Sequence, residues 1–319
     1  MIEQQSGEQV LGTVAAPTAL EAAELEARGI AAARRAREHR KLRADERAFL
    51  WVSRVIIWLA ILVVIVPIVL VVIASLTAGQ SLFVTSIIPQ HFSFEHYQNV
   101  FDPTKTSIWL WLRNSFIVCA ATGVIAVLFV ATAGYAFSRF HFPGRRYGLM
   151  TMLLIQMFPA QMSFVALYFF LLKVHLLNSL QGLVVVFLGG GIAFNTWLFK
   201  GYVDSLPRDL EESAYVDGAN RFQAYWRVIL PLTRPMMAVI FLFQFIGVYN
   251  DFLLTNFLIQ DPNKYTVTVG LRGFINSQFG QNWNDFAAGA LVAALPICVV
   301  FLLAQRWLVS GLAAGAVKG

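Results

Sequence analysis

An all-α membrane protein with six transmembrane helices is what this sequence predicts, on three observations. The 319 residues are 58% hydrophobic and only 13% charged, where soluble domains carry about 25% charged residues, and the mean hydropathy is +0.64. Six apolar runs, near 55–76, 114–137, 147–170, 181–200, 236–258 and 286–308, approach the roughly 20 residues of helix that cross a hydrocarbon core. Finally, the basic residues alternate between connecting segments. Of 24 Lys and Arg, 19 lie in 1–54, 138–146, 200–235 and 306–319, and 5 in the segments between.

All six runs must be helical, because lipid offers no partner to a free backbone N–H or C=O. Pro67, Pro159 and Pro296 lie inside runs and predict kinks or broken turns. The basic residues place both termini and the 200–235 segment in the cytoplasm, and they account for the net charge of +6 without nucleic acid as a partner. Cys119 and Cys298 both sit in apolar runs and read as small core residues, not as a disulfide or metal site. About 50 polar residues precede the first run, unlike a secretory signal. Residues 1–53 form a cytoplasmic tail and 54–319 the membrane domain. Within the tail, Leu20 to Phe49 mixes Glu with Arg in a helix-forming composition. That suits either an amphipathic helix on anionic lipid or a solvated extension.

The cytoplasmic segment between the fourth and fifth runs is too long for a plain turn. Pro207 followed by Asp209, Glu211 and Glu212 predicts a helix start, with the acids at the positive end of the dipole. Ser213, Ala214 and Ala219 are small enough to admit another protein surface. Gly218 ends this helix, and a second runs from Arg221 to Leu230, halted at Pro231. An ordinary solvated loop is the alternative.

Polar residues inside spans are costly and face a bundle interior or a pathway. The fifth run carries Gln244, Tyr249, Asn250 and Asp251 beside Phe245, the third Gln156, Gln161 and Ser163, and the fourth Asn195 and Thr196. Rings, amides and a carboxylate suit an oligosaccharide, and they equally suit hydrogen bonding between helices. The external segment 259–284 mixes turn residues with Lys264, Arg272, Phe279 and Trp283. After Gln305 come Gly311, Gly315 and several alanines, predicting a poor helix and a flexible small-residue strip up to Lys318. No G-x-x-x-x-G-K-[ST] loop, nucleophile elbow or metal-ligand spacing occurs. The chain is not expected to be an enzyme, and it carries no ATP site of its own.

The ordered run Glu212-Ser-Ala-Tyr-Val-Asp-Gly218-Ala, then nine residues, then Ile229-Leu-Pro231, resembles the "EAA" loop of ABC importer permeases. Glu-Ser-Ala is a mild departure from that pattern. Further pieces are Ala133-Gly-Tyr-Ala-Phe-Ser-Arg139, Phe142-Pro-Gly144, Gln156-Met-Phe-Pro-Ala160, Leu188-Gly-Gly, Lys200-Gly-Tyr202, Asp285-Phe-Ala-Ala and Ala294-Leu-Pro-Ile297. With these and the Gly-rich end, the chain from about residue 55 onward is similar to the maltose/maltodextrin branch of ABC sugar importer permeases.

The resemblance implies an ATPase-coupling loop between helices 4 and 5, made of Glu212, Ser213, Ala214, Asp217, Gly218, Ala219 and Pro231. It implies an ATPase-contacting tail (Gly311, Gly315, Lys318) and a loop meeting an extracytoplasmic sugar-binding protein (Lys264, Arg272, Phe279, Trp283). Gln244, Tyr249, Asn250 and Asp251 are then candidates for the translocation path, although most sugar contacts are implied for the other permease subunit. Implied partners are a homologous second permease (MalF-like), an ATPase dimer (MalK-like) that holds ATP and Mg, the sugar-binding protein, an oligosaccharide and membrane lipid. The implied location is the bacterial cytoplasmic (inner) membrane. Trehalose or galacto-oligosaccharides stay open as cargo. An ion-coupled secondary transporter would show related halves and midplane charges. That reading, like a non-transporting scaffold, leaves the cytoplasmic loop unexplained.

Overall fold

The computed structural model describes residues 44–79, 91–275 and 282–316. Among them the chain is helical, with one isolated β-bridge between Thr77 and Phe92. The described residues divide into two units, with the boundary between Val66 and Pro67.

Helix α1 (Ala44–Leu76) runs on through Pro67. The short α2 (Glu95–Phe101) precedes α3 (Ile108–Arg139). The third predicted run is not one helix. It is α4 (Arg145–Ile155) and, after a turn at Ala160–Ser163, α5 (Phe164–Lys173), set at 90°. Pro159 has no N–H to continue the ladder and restrains the residue before it, so of the two expected outcomes the run shows the broken turn. Helix α6 (Leu180–Ser205) starts at a Ser179 cap whose side chain accepts from the Gly182 N–H.

The cytoplasmic segment forms α7 (Asp209–Val216), α8 (Arg221–Ala224), a π-helical turn over Tyr225–Ile229 and α9 (Leu230–Leu232). Pro231 therefore does not halt the helix as expected. A proline clashes with the carbonyl four residues back, and the wider π-type turn before it relieves that clash. The chain turns by 71° at Thr233 instead. The fifth run is also broken, into α10 (Arg234–Tyr249) and α11 (Leu253–Leu258), with Asn250, Asp251 and Phe252 between. Helix α12 (Val267–Ile275) leads to α13 (Trp283–Ala316). This last helix corrects the expectation of an irregular C-terminal strip. It continues through Gly311 and Gly315, where neighbouring alanines offset the roughly 1 kcal/mol that each glycine costs. Among the described residues four helices are long and apolar enough to cross a membrane, or up to six if each bent pair is one span.

Helix α3 packs along α6 and α10, and α10 along α13. Two apolar clusters result. One lies around Phe245, Leu183, Val118 and Val267. The other joins Val130, Ala131, Tyr135, Phe199 and Val203 to Tyr225 and Ile229 of the cytoplasmic segment. Gly134 permits the close approach of α3 to α6. A Cβ there would meet Phe199 Cδ1 at 2.8 Å and the Lys200 backbone N at 3.2 Å. Gly134→Val is therefore expected to lower the detergent melting temperature of the subunit, as overpacking by about 1–3 kcal/mol does. Gly201→Ala, with open space around it, is the control and should not.

Candidate functional site

The helix–turn–helix of α7 to α9 is held by three devices. The first closes the turn. Gly218 has φ of +84°, its N–H donates to Tyr215 O at 3.0 Å, and the Ala219 N–H donates to Ala214 O at 2.9 Å. These are the two bonds of a Schellman motif, which needs a left-handed residue just past the helix. The second device starts α8. Asn220 accepts from the Gln223 N–H at 2.8 Å, and the Gln223 side chain accepts from the Asn220 N–H at 2.9 Å, a reciprocal capping box. The spacing Asn-x-x-Gln is visible in the sequence just before the helix start expected at Arg221, yet it was not among the boundary signals weighed above.

The third device fixes α7 to α3. Glu211 is buried at 5% exposure. Its Oε1 accepts from Arg139 Nε at 2.5 Å and its Oε2 from Tyr135 Oη at 2.9 Å. Arg139 also donates to Leu206 O. The sequence presents Glu211 as one of three dipole-favouring acids, and nothing local marks its partner 72 positions earlier. Beside it, Ser138 Oγ donates to Asp204, which also pairs with Lys200.

Facing outward are Glu212, Ser213, Asp217 and Gly218, with Ala214, Ala219 and Pro231 half-buried. Around them Val216 is 88% exposed, Phe222 70% and Trp226 54%, with Phe222 and Trp226 stacked. The result is a rigid, capped knob with an apolar tip and an anchored base.

The polar residues of the broken fifth span make bonds inside the subunit. Buried Gln244 accepts from Asn195 Nδ2 and donates to Phe187 O. It crosses α6 at Gly191, where a Cβ would lie 2.1 Å from its Oε1. Tyr249 donates to Ala293 O at 2.6 Å and stacks on Phe245. Asp251 accepts from the Thr255 N–H and hydroxyl, holding the start of α11. Asn250 is exposed and bonds to Ile246 O of its own helix.

A cleft of ≈ 680 Å³ lies beside the segment read as external, lined by Arg272 together with Asn99, Trp111, Asn256, Tyr265 and Asp285. Arg272 Nη1 donates to Asn256 at 2.7 Å. Asp285 accepts from Asn99 and lies 2.6 Å from His96 Nδ1. Trp111 Nε1 is buried without an acceptor among the described residues. Lys264 donates to Asn178 O and pairs with Asp261. The backbone N–H of Asn263, and then Lys264, hold the Asp261 carboxyl below its ordinary value. Trp283 packs edge-on against Phe286. Gly311 and Gly315 lie on the last turns of α13. Phe279 and Lys318 fall outside the described residues. No cluster of three His, Cys, Asp or Glu fit for a metal occurs among the described residues.

The family model described as "Binding-protein-dependent transport system inner membrane component" matches residues 129–313, which take in the knob, the broken fifth span and most of α13. The galactooligosaccharides transport permease GanQ of Bacillus subtilis is 41% identical over 77% of this chain and 87% of its own. The maltose/maltodextrin transport permease MalG of Escherichia coli is 39% identical over 86% of this chain and 98% of its own. A solved bacterial ABC transporter involved in import of the acidic polysaccharide alginate superposes with a TM-score of 0.70, at 23% identity, over 84% of this chain and 99% of the other. The last likeness concerns fold alone.

Proposed function

The chain belongs to the binding-protein-dependent transport system inner membrane component family. From that premise we propose that it is a permease subunit that moves an oligosaccharide of the maltose or maltodextrin kind across the bacterial cytoplasmic (inner) membrane. The observation that carries the reading is the knob: a capped helix pair, apolar at its tip and ion-paired at its base to a membrane helix. Such an element is built to receive force and pass it on. In this reading its tip seats in a dimeric, MalK-like ATPase that holds ATP and Mg. The end of α13, with Gly311, Gly315 and Lys318, adds a second contact to the same partner.

Closure of the ATPase displaces the knob. The Glu211–Arg139 pair carries the displacement into α3, and Tyr225 and Ile229 carry it into the cluster around Phe199. The second, MalF-like permease moves in concert, and the path opens toward the binding protein. That protein meets the external segment with Lys264, Arg272, Phe279 and Trp283. Docking outside and closure inside must favour the same state, which is a coupling free energy between two sites. Along the path, exposed Asn250 is the candidate sugar contact, while Gln244, Tyr249 and Asp251 hold the break that places it.

The test is uptake of labelled maltotriose, and separately of a labelled galacto-oligosaccharide, in a strain lacking this chain and supplied with its partners. Restoration of maltotriose uptake alone supports the α-glucan reading. Restoration of the galactoside alone moves the subunit to the second sugar class. Uptake that persists without the ATPase and collapses with a protonophore would overturn the ATP-driven mechanism in favour of ion coupling.

A further inference from the structure

A second cleft, of ≈ 700 Å³, opens between the start of α4 and the end of α6. Its lining combines the basic Arg145, Arg146 and Lys200, the aromatic Tyr147 and Trp197, and the apolar Met150 and Leu153. Tyr147 is 76% exposed and Trp197 48%. No acid lines it, and Asp204 beside Lys200 is engaged by Lys200 and Ser138. Among the described residues Arg145 donates to the Ser138 carbonyl and is drawn to Asp204, and Arg146 has no partner. The cleft therefore holds more positive than negative charge. Both of its walls are ends of apolar helices, on the side where the basic residues of the chain concentrate.

From this geometry we infer that the cleft is a binding site for an anionic phospholipid of the cytoplasmic leaflet, its phosphate on Arg145 and Arg146 and its acyl chain along Met150 and Leu153. Basic pockets between helix ends at that level attract acidic headgroups. Tyr and Trp sit at headgroup depth because one end of each ring is apolar and the other polar. A neutral lipid would leave the Arg146 charge uncompensated, and a free phosphate would leave the apolar wall uncovered. The inference rests on the proposed orientation, in which residues 138–146, grouped by their basic residues with the 200–235 segment, lie on the cytoplasmic side, and not on the sugar.

The test reads lipid rather than transport. The assembled transporter, purified from nanodiscs of phosphatidylcholine with phosphatidylglycerol, is examined by native mass spectrometry for retained lipid. Expected is selective retention of phosphatidylglycerol. Arg145→Ala with Arg146→Ala should reduce retention by about tenfold or more, the scale of removing two interfacial charges. Arg146→Lys should keep it, and excess inorganic phosphate should not displace it. Equal retention of both lipids, unchanged retention in the double variant, displacement by phosphate, or coverage of Arg146 by the second permease in a cross-linking experiment would each overturn the inference. Uptake measured on the same preparations separates this failure from failure of the transport assignment, since a transporter that moves no sugar can still retain lipid.

Discussion

Gly218→Pro is expected to abolish sugar uptake while the subunit remains inserted and folded. Residue 218 sits at φ of +84°, and proline is locked near −65°, so the turn between α7 and α8 cannot close in its present form. Proline also removes the N–H that bonds Tyr215 O. The damage is local, because Gly218 is exposed and a side chain there would meet nothing within 4 Å. What changes is the direction in which α8 and the stacked Phe222 and Trp226 leave the turn. Gly218→Ala is the graded partner. A left-handed alanine costs about 1–2 kcal/mol, so this variant should transport more slowly and still pull down the ATPase. Normal uptake by the proline variant, present at wild-type levels in the membrane, would remove the knob from the coupling path.

The second large effect lies at the base of the knob. Arg139→Met should destabilise the subunit by about 3–5 kcal/mol, the cost of leaving one partner of a buried ion pair uncompensated. The stranded group is Glu211, whose remaining donor at normal distance is Tyr135. The double variant Arg139→Met with Glu211→Met should recover much of the melting temperature, because two packed apolar side chains replace two desolvated charges. If the pair transmits motion as well as holding the fold, the double variant will be stable yet poorly coupled, with ATP hydrolysis outpacing uptake. A double variant that is both stable and fully coupled would reduce Arg139 and Glu211 to a structural role.

These two sites differ in how far they were legible beforehand. Gly218 is marked in the sequence by its place after a short helical stretch and before Arg221, since few other residues terminate a helix in that way. Glu211 carries no such mark, because its meaning depends on a contact between residues 72 positions apart that only the packing of α3 against α6 creates. Hydropathy identified the long helices α3, α6 and α13 well. It missed the break at Asn250 to Phe252, and Pro159 alone marked the one in the third run, because mean hydropathy averages over the two or three residues where the ladder fails. Proline chemistry, in turn, placed the end of the second cytoplasmic helix at Pro231. A π-helical turn over Tyr225–Ile229 shifts that boundary, and no pattern of period 3.6 encodes it. The C-terminal glycines misled in the opposite direction, toward irregular chain where a helix continues.

The apolar tip of the knob has one more consequence. Val216, Phe222 and Trp226 are exposed, and on the proposed orientation they face cytosol until a partner covers them. A copy made in excess of its ATPase would present a greasy, rigid projection to every chaperone and protease in the cell. On the proposed assembly, an unassembled copy is therefore expected to be cleared faster than an assembled one, so the exposed tip would tie the amount of this subunit to the amount of its partner.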